Sequence, residues 1–486
     1  MATPDFEYQT AGELMAAMAA RQVSAVELAE AAIARIEQLD GALHAICVRD
    51  FERARAAAKQ ADEARARGEV KPLLGVPMTV KESFNVAGLP TTWGMPMFRD
   101  FRAETDALAV QRLRAAGAVI LGKTNVPFAL GDVQSYNEIY GTTNNPWNHE
   151  RTPGGSSGGS AAALAAGFGA LSIGSDIGGS LRNPAHYCGV FAHKPTHGLV
   201  ASRGHTPPAL PALPGERDLG VIGPMARSAG DLALMLEVLS PPDELSTGIA
   251  YRLALPPPRH TELGKFRILI LDEHPLLATA QSVREALDAL AGRLTAAGAE
   301  VARSSPLLPD LADAARLYMR LLMSFMSAFW PPHVYDRMRG LAAKLGADDH
   351  TLGAERVRGT VLSHRDWVLD DGKRNGVREH WRGFFQQFDA VICPVMPTPA
   401  FPHDQAGSME TRTIAIDGVG YPYGDQMLWA GVATLTGLPA TALPIGRSDD
   451  GLPIGAQILG PMYEDRTPLE LARLIERDIG GFVPPP

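Results

Sequence analysis

Two short stretches concentrate residues able to do chemistry. Residues 175–184 read SDIGGSLRNP, and residues 154–160 read GGSSGGS. In the first, Ser180 closes a turn through Gly178 and Gly179, directly after the strand-like ALSIG. Glycines let successive backbone amides point at one spot without side-chain obstruction. An oxyanion hole requires that geometry, so Ser180 is a candidate nucleophile. A simple anion-binding turn, or merely a tight one, fits this segment equally well. A serine hydroxyl is a weak nucleophile at neutral pH and needs a base. No histidine has a triad-like setting, but Lys81 ends the apolar run GVPMTV. Burial there disfavours the charged amine, and a neutral lysine can accept a proton. Taken alone, Lys81 reads as a surface or salt-bridged lysine. GGSSGGS, taken alone, reads as a linker.

Three other matches are weaker. Residues 117–124, GAVILGKT, fit the nucleotide P-loop pattern by letter. The inner residues are apolar and form the expected strand themselves, with a helix before them, which is the wrong context for a phosphate cradle. GGSSG, residues 154–158, fits the nucleophile elbow, but TNNPWNHERTP before it is turn-forming and not a strand. His186, Cys188, His193 and His197 suggest a metal set, yet Pro195 interrupts the helical spacing of the last two. Structural histidines are the better reading.

The surrounding elements must position these residues. Residues 10–68 read as helices, with Ser24 and Glu27 forming a capping-box pattern and a charged helix ending near Gly68. Then buried strands alternate with helices. GVPMTV leads into Lys81, ALAVQRLRAAG precedes AVILGK, and SAAALAAGFG precedes ALSIGSD. Further strands are expected at FRILILD, AEVARS, DAVICPV, ATALPIG and PIGAQILG. This grammar predicts an α/β fold with a largely buried sheet. The Pro-rich residues 241–265 read as a surface connection, because strands of one buried type lie on both sides. Residues 309–385 read as a mostly helical insert, and RLYMRLLMSFMSAFW within it reads as a core-packing helix or, alternatively, as an acyl-pocket wall or a partner surface.

The chain has 486 residues, a net charge of −9 and 45% hydrophobic residues. The length fits two or three domains or one large α/β domain, and the strand pattern favours one domain over 1–486. The acidic balance argues against nucleic acid or an anionic membrane as the main partner. No apolar run of about 18 residues exists to span a bilayer. Cys47, Cys188 and Cys393 are scattered and odd in number, so a reducing, cytoplasmic setting is expected. The first ten residues show no secretory signal.

Three long segments in fixed order carry a resemblance. GVPMTVKESFNVAGLPTTWG, GTTNNPWNHERTPGGSSGGSAAALAAG and GSDIGGSLRNPAHYCGVFAHKPTHG resemble the amidase signature family, with Ser156 and Ser180 24 residues apart. VIGPMARSAGDLALML, FDAVICPVMPTP and TGLPATALPIGRSDDGLPIGAQILG agree with it. The similarity covers roughly residues 10–240 and 385–475. It implies a central mixed sheet covered by helices and a Ser–cisSer–Lys triad. Ser180 matches the nucleophile, Ser156 the proton relay that follows a cis peptide bond, and Lys81 the general base. The amides of Ile177, Gly178, Gly179 and Ser180 match the oxyanion hole, and Asp176 is expected to order the loop. No cofactor or metal is implied.

The resemblance also implies a small-molecule substrate with an amide-type C–N bond: an amide, aryl amide, carbamate (urethane) or, in some members, an ester. The segment 127–141 matches the substrate entrance, with Gln134, Tyr136 and Asn137 as candidate polar contacts. The leading expectation is a stand-alone hydrolase, monomeric or homodimeric. The alternative is the A-type component of a tRNA-dependent amidotransferase, releasing ammonia from glutamine. Ala192-His193 stands where members often have Gly-Leu, and Tyr187 where Phe is commoner. These departures bear on substrate choice and leave the three triad positions intact.

Overall fold

Continuous apolar runs, with no alternation, dictate strands buried on both faces. The computed structural model, which describes residues 6–486, builds them into one sheet. The chain opens with α1 (Ala11–Ala19), α2 (Ala25–Leu43), β1 (Ile46–Arg49) and α3 (Phe51–Ala66). β2 (Pro77–Lys81), α4 (Leu108–Ala115) and β3 (Val119–Thr124) follow, then the short pair β4 (Tyr136–Asn137) and β5 (Gly141–Thr142). Next come α5 (Gly158–Ala165), β6 (Leu171–Asp176), α6 (Arg182–Cys188), β7 (Phe191–Lys194), β8 (Val221–Ala226) and α7 (Ala229–Leu239). β9 (Arg267–Ile270), α8 (Gln281–Ala296) and β10 (Glu300–Ala302) precede four consecutive helices. These are α9 (Leu311–Met326), α10 (Pro332–Ala342), α11 (Leu352–Thr360) and α12 (His364–Phe384). The chain closes with β11 (Ala390–Pro394), β12 (Thr413–Ile416), β13 (Val419–Pro422), α13 (Leu428–Thr434), β14 (Ala440–Arg447), β15 (Pro453–Leu459) and α14 (Arg466–Asp478).

Eleven strands form the sheet in the order β1-β3-β2-β6-β8-β7-β14-β15-β11-β9-β10. The β3–β2–β6 and β11–β9–β10 runs are parallel, and the pairs between them are antiparallel. The sheet is therefore mixed, with helices around it, as the resemblance implies. Strands before and after residues 241–265 share it, so that Pro-rich stretch is a connection across one α/β domain.

The local signals behave as their chemistry predicts. Ser24 Oγ accepts from the Glu27 amide, and Glu27 returns the bond to the Ser24 amide, closing the capping box. Residues 117–124 contribute β3, which is wholly buried. Lys123 is sealed against the Pro90 carbonyl and Thr91 Oγ1. That segment has no exposed amides with which to cradle phosphate.

Some elements depart from the sequence reading. The helical reading of 10–68 is interrupted by β1, a four-residue strand that pairs antiparallel with β3. β7 and β8 fall where no strand was expected, in FAHK and in VIGPMA, whose Gly and Pro mask it. An Asp-Gly turn at 417–418, both residues with positive φ, joins β12 to β13.

Candidate active site

The site grows from the carboxyl ends of two neighbouring parallel strands. β2 ends at Lys81, and β6 ends at Ser175 and Asp176, with Val80 paired to Ile173. Ligands of α/β sheets gather outside such strand ends. The glycine-serine loop before α5 passes directly over them. α5 is buried along its whole length, and its Gly and Ala residues allow that close seat.

Lys81 is fully buried. Its Nζ donates to Ser156 Oγ at 2.7 Å, Ser157 Oγ at 2.9 Å and Ser175 Oγ at 2.9 Å. Among the described residues no carboxylate lies within ion-pair distance of it. Burial therefore dominates and pulls the ammonium pKa down to about 7, while Asp176 acts in the opposite direction. Three hydroxyls satisfy the amine without fixing its charge.

Ser156 is held by its neighbours. The Gly155–Ser156 peptide bond is cis. Asn183 grips the peptide groups of Gly155 at both ends, its Oδ1 accepting from the Gly155 amide at 3.0 Å and its Nδ2 donating to the Gly155 carbonyl. Ser135 Oγ donates to the Gly154 carbonyl at 2.9 Å and accepts from the Gly158 amide at 3.1 Å. A Cβ on Gly155 would sit 2.5 Å from the Asp132 carbonyl and 2.7 Å from that of Gln134, so only glycine fits there. GGSSGGS is thus a clamped loop. It enters α5 from a turn with no strand before it, unlike a nucleophile elbow.

The second turn carries Ser180. Gly179 has φ +96°, a conformation that glycine adopts readily. Asp176 shapes this turn. Its carboxylate accepts from the amides of Gly179 and Leu181, both at 3.0 Å, and from the Arg182 guanidinium at 2.8 Å. Burial alone would raise its pKa, but Arg182 and these amides outweigh burial and hold it at about 2. Arg182 is fully buried and also donates to Gln457 Oε1, Thr434 Oγ1 and the Ala430 carbonyl. Asp176 thus claims the Gly179 amide, while it does not engage those of Ile177, Gly178 and Ser180. The Ser157 amide donates to the Ser180 carbonyl at 3.2 Å and ties the two turns together.

Ser156, Ser180, Ser175, Asp176 and Ile177 line one open cavity. Its other walls include Ala129, Leu130, Phe325 and Met326. The C-terminal end of α9 is therefore a pocket wall, while Tyr318 on the same helix is buried and donates to the Ile177 carbonyl at 2.9 Å. The structure does not bring Gln134, Tyr136 or Asn137 into this cavity. Gln134 bonds to the Asp404 backbone and the Tyr423 hydroxyl, and Tyr136 donates to Asp132. Asn137 braces Asn125 and the amides of Ile139 and Tyr140. The same 127–141 segment instead offers Ala129 and Leu130.

The histidines are structural. His186 sits between the Gly455 and Thr398 backbones, and His193 between Thr441 and Asp465. Among the described residues no cluster of metal-ligating side chains occurs.

Sequence reading missed Ser157, Ser175, Asn183 and Arg182. The two serines flank residues already singled out, and β6 ends beside β2, so a pairing of these strands would have exposed Ser175. Asn183 carries no local signal, because its partner lies 28 positions away; Arg182 pairs with Asp176 six positions before it, but its other partners lie up to 275 positions away.

Comparison with known proteins adds an independent finding. A sequence model for the family described as Amidase matches residues 27–469. The A subunit of the glutamyl-tRNA(Gln) amidotransferase of Deinococcus radiodurans is 34% identical, over 96% of this chain and 97% of its own length. The protein of the same description from Anaeromyxobacter dehalogenans is 35% identical over 100% of both. A solved structure described as an unexpected vestigial protein complex revealing the origins of an s-triazine catabolic enzyme is 31% identical. It superposes with a TM-score of 0.81 over 97% of this chain and 99% of its own.

Two expectations follow from the geometry. The Lys81 ammonium titrates near pH 7, observable by NMR of labelled lysine; a midpoint near the ordinary 10.5 contradicts the buried cage. Asn183→Ala removes both bonds to Gly155 and leaves its buried peptide groups unpaired. It lowers thermal stability by about 1–3 kcal/mol and speeds hydrogen exchange at the Gly155 amide.

Proposed function

This chain belongs to the amidase family, and from that membership we propose that it hydrolyses an amide C–N bond through an acyl-enzyme on Ser180. It is an amidase-family enzyme acting on C–N bonds. The observation that carries the mechanism is the 2.7 Å contact from buried Lys81 to Ser156, which lines one cavity together with Ser180.

In this reading neutral Lys81 takes a proton from Ser156 as Ser156 takes one from Ser180. The Ser180 oxygen attacks the carbonyl carbon, and the oxyanion meets the amides of Ile177, Gly178 and Ser180, which Asp176 does not engage. Lys81 and Ser156 then return the proton to the leaving nitrogen as the C–N bond breaks. Water attacks the resulting ester along the same relay and frees Ser180. A base near its own pKa at neutral pH is well matched to both directions of transfer.

The names of the curated relatives support the reading as an amidotransferase component better than a stand-alone hydrolase. In that reading the substrate is glutamine and the chain works in a larger assembly. Nothing in the cavity singles out a urethane or an aryl amide. The three cysteines are free, which supports a reducing compartment such as the cytoplasm. No helix among the described residues is long and apolar enough to cross a membrane.

A panel of primary amide, anilide, carbamate, ester and L-glutamine tests these readings, alongside native mass measurement of the purified chain. Turnover of simple amides by the chain alone supports the stand-alone enzyme. Glutaminase activity appearing only with added partners supports the amidotransferase component. In both cases Ser180→Ala abolishes turnover and covalent labelling by a fluorophosphonate. Lys81→Ala and Ser156→Ala lower kcat/KM by roughly 10²–10⁴-fold. Normal turnover in Ser180→Ala would overturn the reading.

A further inference from the structure

The cavity beside Ser180 contains a cation that the mechanism does not use. Arg217, from the loop between β7 and β8, lines it together with Trp93, His205 and Ile222. Elsewhere near the site, buried arginines are matched to carboxylates, as Arg182 is to Asp176 and Arg412 to Asp132. Among the described residues no carboxylate lies within ion-pair distance of Arg217. Its Nη1 donates to His205 Nδ1 at 3.3 Å, and its Nη2 is buried with no hydrogen-bond partner. The guanidinium packs over the Trp93 ring, 5.3 Å from the centroid.

The neighbours hold this arrangement in place. Nδ1 of His205 accepts from Arg217, so the ring proton sits on Nε2, which donates to Ser83 Oγ at 2.9 Å. His205 is buried and lies between the Phe84 and Trp93 rings. Burial first, then the charges of Arg217 and Lys81, drives its pKa well down, so it stays neutral. Trp93 in turn is pinned by Glu82, which accepts from the Trp93 amide at 2.9 Å. Burial draws the Arg217 pKa down to about 10 against the opposite pull of the neighbouring Glu216 carboxylate, which lies beyond ion-pair distance, and Arg217 stays cationic at neutral pH. A planar cation with a donor left unpaired, fixed on an aromatic face in a cavity also lined by the apolar Leu130, Phe325 and Met326, suits one ligand chemistry. That chemistry is a carboxylate, which a guanidinium binds through paired, charge-assisted hydrogen bonds.

We propose that Arg217 is a specificity-determining residue that holds a substrate carboxylate, so that the scissile amide belongs to a molecule with an anionic group in its acyl or its amine part. The proposal rests on Ser180 being the nucleophile.

Matched pairs test it. Glutaramate against valeramide places the carboxylate in the acyl part, and N-butyryl-β-alanine against N-propylbutyramide places it in the amine part. Wild type favours at least one carboxylate member over its neutral partner by roughly 10- to 100-fold in kcat/KM. Arg217→Gln collapses that ratio, mainly through KM, and Arg217→Lys restores part of it. A general loss of folding or activity would lower both members of a pair and leave the ratio unchanged. Equal use of both members by wild type, or an unchanged ratio in Arg217→Gln, overturns the proposal. Calorimetric binding of the two carboxylate amides to Ser180→Ala, with and without Arg217→Gln, separates the two layers. Binding that depends on Arg217, with no hydrolysis by wild type, keeps the carboxylate site and overturns the Ser180 reading. Hydrolysis of neutral amides with no carboxylate preference does the reverse. Absence of binding to Ser180→Ala overturns the Arg217 proposal.

Discussion

A lysine buried without a carboxylate is the constraint from which the rest of the site follows. Removing an ammonium from water costs more than three hydroxyl contacts return, so the amine gives up its proton near neutral pH. A carboxylate in contact would reverse that balance. Asp176 is the threat, since its charge lies at the end of the adjacent strand and favours the ammonium. Arg182 answers it by holding that charge in a buried pair, satisfied further by Gln457, Thr434 and the Ala430 carbonyl. The last quarter of the chain thereby sets the electrostatics around a residue in its first quarter. This accounts physically for a sheet in which β14 and β15 continue the strands that carry the site.

The second requirement is position. Ser156 must stand between the amine and the cavity, and the backbone that presents it has no regular element to lean on. Asn183 supplies the missing partners by pairing with both peptide groups of Gly155, and the 132–135 backbone closes the other side. The two turns are cross-linked by the Ser157 amide and the Ser180 carbonyl. The loop that looks slack in sequence is among the most enclosed stretches of the molecule, from Thr152 to Ala166.

Much of this was legible beforehand, for identifiable reasons. Lys81 ends an apolar run, and Ser180 follows two glycines after another; these local patterns mark both as candidates, while their roles come from the resemblance carried by three long segments in fixed order. The helix-strand alternation around them predicts a buried α/β sheet, but not that β2 and β6 lie side by side in it. What escaped was non-local. Asn183 acts on Gly155, 28 positions away, Arg182 joins nearby Asp176 to groups up to 275 positions away, and Arg217 packs on Trp93, more than a hundred positions before it; no periodicity marks them. Gln134, Tyr136 and Asn137 failed for the opposite reason: polar residues near a site look like contacts, but a buried loop consumes its polar groups in holding itself together. β8 was hidden by Gly223 and Pro224, and β1 by its four-residue length between two strong helices. The β12–β13 hairpin did carry a signal, the Asp417-Gly418 pair, and it was overlooked.

In the proposed relay, Ser180 gives its proton to Ser156 only as neutral Lys81 takes one from Ser156. The rate at which a fluorophosphonate inactivates the enzyme, followed from pH 5 to pH 9, reads this directly, because the probe needs only the activated serine. The neutral fraction of Lys81 grows as pH rises, so the rate should climb to a plateau with its midpoint near 7, and should be slow and flat in Lys81→Ala. A wild-type rate independent of pH across that range, or an unchanged profile in Lys81→Ala, would contradict it.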